Sequence, residues 1–130
     1  MPQENPSRAR LTAYWILTGL LAVEMTTGGT WDLLRTQYVR ALMDQLSYPH
    51  YMLTILGIWK LLAVVAILLP GFPRLKEWAY AGMFFDLTGA AASHVIRYDG
   101  PQQIVVTLTL ALLVMASWAL RPASRRLASP

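Results

Sequence analysis

Two apolar runs joined by a short break constrain this chain more than any other feature. Tyr51 to Leu69 is apolar, Pro70-Gly71-Phe72-Pro73-Arg74-Leu75-Lys76-Glu77 interrupts it, and Trp78 to Ile96 is apolar again. At ~1.5 Å of rise per residue, each run is a helix that nearly matches a hydrocarbon core of ~30 Å. Each also carries ionisable residues: Lys60 in the first, Asp86 and His94 in the second. A charge at the bilayer centre costs at least ~2.5–3.5 kcal/mol, so such side chains face protein or a polar cavity.

Composition agrees with the bilayer as a second solvent. Of 130 residues, 55% are hydrophobic and only 14% charged, against ~25% charged in soluble domains. The length predicts one domain, residues 1–130. The net charge of +4 does not point to nucleic acid, because the basic residues flank apolar spans instead of forming a patch with stacking aromatics. Without cysteine, thiolate metal sites and dithiol relays are excluded within this chain.

In order, residues 1–10 form a basic tail that predicts mobility. Residues 11–29 predict a first membrane helix, longer than the usual apolar region of a signal peptide and with no small-residue cleavage site after it, so the expectation is a retained helix. Gly28-Gly29 reads as its end. Residues 30–50 alternate Trp31, Leu34, Tyr38, Leu42 and Leu46 with polar residues at helical spacing, which predicts an amphipathic segment on the membrane surface. Residues 51–69 and 78–96 follow as spans, then 102–120, which has no charge, and a polar tail over 121–130. The expected architecture is therefore all-α: a four-helix transmembrane bundle with an amphipathic segment between helices 1 and 2. Seven Arg and Lys residues in the tails and the 70–77 break, against Arg35, Arg40 and Arg97 in the segments on the other side, predict that both termini are cytoplasmic.

Depth along the helices predicts which intramembrane charges meet. From the inner end, Lys60 lies ~13 Å up and Asp86 ~12 Å up, while Glu24 lies ~20 Å up and His94 ~24 Å up. Two pairs are expected, Lys60 with Asp86 and Glu24 with His94. Eight residues separate Asp86 from His94, a rotation of ~80°, so both can face one interior. The spacing Gly89 to Ser93 predicts a close helix approach. These four residues are candidates for ligand or proton handling; the competing reading is a buried polar network that only sets helix register. Trp15, Trp59, Phe85, Thr88 and Ser93 are candidate pocket lining for a flat apolar ligand such as a quinone, although aromatics also serve as core and interface belt. No tight ligand spacing links Glu24, Asp86, His94 and His50, so no metal site is expected.

Leu56-Gly57-Ile58-Trp59-Lys60, the stretch Leu68 to Gly82, and Phe85-Asp86-Leu87-Thr88-Gly89-Ala90-Ala91-Ala92-Ser93-His94 together resemble the DoxX-like family of small bacterial membrane proteins. Tyr14-Trp15, Thr18-Gly19, Gly28-Gly29 and Tyr48-Pro49 share the likeness, which runs over most of residues 11–120. The chain departs at Ser47, where the family pattern has glycine. The resemblance implies a four-helix bundle of the bacterial inner membrane. The wider DoxX group includes members associated with thiosulfate:quinone oxidoreduction and with membrane complexes that handle oxidative stress. It supplies no catalytic residue set. Two functions are therefore expected: a subunit that binds a quinone or similar apolar molecule beside a redox partner, or a non-catalytic scaffold or permeation protein. No cofactor held by this chain alone is indicated. The expected partners are the lipid bilayer, another membrane protein, redox or otherwise, and a second copy of the chain.

Overall fold

The computed structural model describes residues 6–128. Among them every regular element is helical: α1 Arg8–Leu34, α2 Gln37–Leu46, α3 Tyr51–Leu68, α4 Pro73–Arg97, α5 Pro101–Ala119, and a 3₁₀ turn at Ala123–Arg125. Part of the expected tail, residues 1–5, lies outside the described residues. Arg8 to Arg10 are already helical, because the Ser7 hydroxyl accepts a hydrogen bond from the Arg10 amide and opens α1.

α1 is longer than its apolar run. Gly28 and Gly29 do not end it; the helix continues to Leu34 and stops where Arg35 takes a left-handed conformation, φ 49°. Glycine weakens a helix in water, but here Gly29 is buried against α3. The first part of the expected amphipathic segment thus belongs to α1, and only Gln37–Leu46 forms a separate helix. That helix buries Val39, Met43 and Leu46 against Leu53 of α3. It ends at Ser47, whose φ of 61° is the left-handed region that favours glycine.

The break at residues 70–77 is shorter than its composition suggests. Phe72 and Pro73 start α4, since proline at the first helical position gives up no intrahelical bond. Gly100, at φ 106°, turns the chain into Pro101 and α5.

The four long helices close a ring in which α1 touches α3 and α5, and α4 touches α3 and α5. All four contribute to one core: Leu21 and Met25, Ile67, Tyr80, Met83 and Leu87, and Ala111 and Val114. A hydroxyl cluster lies in the same interior. Ser117 Oγ is 2.8 Å from both Thr18 Oγ1 and Tyr80 Oη. The outer surface is apolar instead of polar: Trp78, Phe85, Val23, Leu112 and Ile16 are all more than half exposed. By length and composition α3 and α5 are apolar enough to cross a membrane, with mean hydropathies of 2.2 and 1.6. The apolar stretches of α1 and α4 are interrupted by Glu24 and Asp32, and by Asp86 and His94.

Cations converge on the end of the ring where α3 finishes. The last carbonyls of a helix lack intrahelical partners and carry its negative dipole end. Lys76, fully buried, donates to the carbonyls of Ala66 at 3.0 Å, Gly71 at 2.6 Å and Leu69. Arg125 adds bonds to Ile67 at 2.9 Å and Leu68 at 3.3 Å. Burial, with Arg125 and Arg121 close by, pulls the Lys76 ammonium below the ordinary lysine range. Arg121 pairs with Glu77 at 2.7 Å and lies over the rings of Tyr80 and Trp118. Several of the basic residues read as topology signals are therefore also caps.

Candidate functional site

The site starts from a close helix crossing. A Cβ on Gly57 of α3 would lie 2.7 Å from Leu33 Cγ and 2.8 Å from the Gly29 carbonyl oxygen, so α1 and α3 approach here as only glycine allows. One turn further along α3, Lys60 is thereby brought against α1. Its Nζ donates to Asp32 Oδ2 at 2.8 Å, with the two side chains 23% and 6% exposed.

This differs from the expected Lys60–Asp86 pair. Depth along the spans placed Lys60 and Asp86 level, but the glycine crossing turns the lysine toward α1. The side chain of Asp86 makes no hydrogen bond or ion pair among the described residues. Glu24 and His94 are not paired either. His94, 1% exposed, donates or accepts through Nδ1 at 2.6 Å from Asp99 Oδ2, a residue only five positions away beyond the end of α4. Glu24 Oε2 is buried with no partner, while Glu24 Oε1 and Lys60 Nζ each lie 3.8 Å from the space a Cβ on Gly28 would fill.

Two cavities meet at Lys60 and Asp86. The first, about 500 Å³, is a groove on the α3–α4 side, with Met25 and Met83 at its base and Trp59, Trp78 and Phe85 on its walls. Lys60 and Asp86 are its only ionisable lining. The second, about 610 Å³, is more polar and runs toward α2 and α5; Glu24, Asp32, Lys60, Asp86 and His94 all line it. Both volumes fall within the ~300–1,000 Å³ usual for small-molecule sites. Phe85, Leu56, Lys60 and Asp86 belong to both walls.

The other expected lining residues divide. Trp59, Phe85 and Ser93 line these cavities; Ser93 also shares a 2.6 Å hydrogen bond with the Tyr48 hydroxyl. Trp15 does not: it lies under the Arg125 guanidinium, 4.8 Å from CZ to ring centroid. Thr88 spends its hydroxyl on the Phe84 carbonyl of its own helix at 2.8 Å and lines neither cavity. Gly89 makes no close helix approach, since open space surrounds its Cβ position; the tight crossing is at Gly29 and Gly57. Asp32 is the residue that sequence reasoning passed over. Glu24 and Asp32 are eight apart, the same spacing as Asp86 and His94, so both face one interior once α1 continues through the glycines.

The family model of the DoxX-like family matches residues 16–117. The chain belongs to the DoxX-like family. The residues that line the two cavities all fall within the match, Glu24, Asp32, Lys60, Asp86 and His94 among them. No curated protein and no solved structure matches the chain. Membership of this DoxX-like family and the two apolar helices fit a membrane protein.

Proposed function

We propose that this DoxX-like protein is a multi-pass membrane protein that binds an apolar small molecule, a quinone or a compound of similar shape, at Lys60 and Asp86. In this reading α1, α3, α4 and α5 cross the inner membrane, α2 lies at the outer surface, and the end carrying Lys76, Arg121 and Arg125 is cytoplasmic. The apolar outer surface and the gathering of cations at one end support that placement.

The observation that carries the proposal is the meeting of the two cavities at Lys60 and Asp86. A pair that served only to hold helices together would be packed, with its hydrogen-bonding capacity satisfied. Lys60 is paired with Asp32, but Asp86 is left open to both spaces. The groove takes a flat apolar body, and the polar groups at its inner end orient a head group. A membrane redox partner would exchange electrons with such a molecule.

The test is native mass spectrometry, with solvent extraction, of protein purified in mild detergent. Wild type is expected to carry an apolar small molecule in stoichiometric amount, and Asp86→Leu to lose it while remaining folded, because the Lys60–Asp32 pair is untouched. Protein carrying only bulk lipid, unchanged by Asp86→Leu, would instead leave the scaffold or permeation reading, with the charges purely structural.

A further inference from the structure

Charge at the junction of the cavities is one-sided. Besides the phenols of Tyr38 and Tyr48, five ionisable side chains line the polar cavity: Glu24 and Asp32 from α1, Lys60 from α3, and Asp86 and His94 from α4. Lys60, the lone ammonium, gives one of its three N–H donors to Asp32 at 2.8 Å, and that carboxylate offsets its charge. Glu24 and Asp86 have no cationic partner within ion-pair distance among the described residues, and Glu24 Oε2 has no hydrogen bond. His94, 98% buried as a side chain, has Nδ1 committed to Asp99. When Nδ1 carries the hydrogen toward that carboxylate, a neutral ring leaves Nε2 as an acceptor, with no hydrogen bond to it among the described residues. Donors such as the Tyr38 hydroxyl, the Gln103 amide and the Trp31 indole also line this cavity, but its charged groups are unbalanced: three carboxylates face one ammonium.

A quinone carbonyl takes a hydrogen-bond donor, which Lys60 or Trp59 can supply, but it leaves the surplus carboxylates Glu24 and Asp86 without a counter-charge. A positive head group needs what is present: carboxylates in a space of low dielectric, where opposite charges attract strongly. The adjoining groove adds Trp59, Trp78 and Phe85, whose ring faces attract cations as well as apolar surface. No three His, Asp or Glu side chains among the described residues are grouped so as to hold a metal ion, which points to an organic cation.

Resting on the small-molecule site proposed above, we infer that its occupant is a lipophilic organic cation, with an aromatic body in the α3–α4 groove and its positive centre beside Asp86 and Glu24.

Binding of three probes to the full chain in nanodiscs tests this: tetraphenylphosphonium, tetraphenylborate of the same shape and opposite charge, and a short-chain ubiquinone. Empty nanodiscs give the background. Saturable binding of the phosphonium near one per chain is expected, with the borate weaker by about tenfold or more. Asp86→Asn and Glu24→Gln are each expected to weaken the phosphonium by a similar factor while leaving the melting transition in place. Should either variant fail to fold, the wild-type comparison of cation with anion still decides. Equal binding of cation and anion overturns the inference. So does binding of the ubiquinone without the phosphonium, which leaves the proposed apolar-ligand site standing. Binding of no probe, together with bulk lipid only in native mass spectra, overturns both.

Discussion

At the scale of single residues, Asp32 has the largest consequence. It holds Lys60 in a setting where the lysine is only 23% exposed, and removing one partner of a buried pair costs far more than the pair is worth. Asp32→Ala is expected to destabilise the protein by about 3–5 kcal/mol, and Lys60→Met by a comparable amount. The combination Asp32→Leu with Lys60→Met should cost markedly less than the sum, since an apolar pair restores packing without desolvating charge. Thermal unfolding in detergent across the cycle checks this. Additive losses would mean that each charge acts through some other contact.

At the scale of elements, the α1–α3 crossing sets the geometry of the site. A methyl group at Gly57 would meet Leu33 Cγ at 2.7 Å and the Gly29 oxygen at 2.8 Å, and backbone cannot move aside as a side-chain tip can. Gly57→Ala is therefore expected to force the helices apart, costing about 1–3 kcal/mol in stability, and to weaken ligand retention through the displaced Lys60. Gly82→Ala, where nothing lies within 4 Å of the Cβ position, is the matched control and should melt like wild type.

Beside the apolar contact of α4 with α5, Glu77 at the start of α4 pairs with Arg121 just past α5. Burial alone would push the Glu77 carboxyl up, but hydrogen bonds from Trp118 and Arg121 and the Arg121 charge outweigh it and hold the group below the usual carboxylate range. A carboxylate of depressed pKa contributes stability that is present above its unfolded value of 4.5 and lost as pH falls through the folded one. Glu77→Gln is accordingly expected to lower the melting temperature at pH 7. The gap from wild type should close as the pH drops below that value. A gap of constant size would assign the effect to packing alone.

At the scale of the whole molecule, the proposed topology makes a prediction that the composition renders convenient to test. The chain has no cysteine, so single cysteines report position without a background. Gln45→Cys, exposed on α2, is expected to react with a membrane-impermeant maleimide in intact cells, and Ser124→Cys only after permeabilisation. The reverse pattern would invert the protein, and labelling of both in intact cells would exclude a membrane between them.

Much was legible in the chain as a string, because hydrophobic length and helical periodicity are local properties. The all-helical class, membership of the DoxX-like family, the two apolar spans over Tyr51–Leu68 and Pro101–Ala119, and the polar residues interrupting the other two all follow from neighbours in sequence. Which side chains meet does not. Depth along a span is nearly a matter of counting, but rotation about the helix axis depends on how two surfaces pack. The approach of Gly29 to Gly57 brings Lys60 into a hydrogen bond with Asp32 and not with Asp86. The continuation of α1 through Gly28 and Gly29 likewise needed α3 beside it, since glycine ends a helix in water and permits a crossing between helices. The open acceptors of Glu24 and Asp86 are the product of that rotation: the sequence alone determined that the charges lie inside, and only the tertiary structure decided which were left without partners.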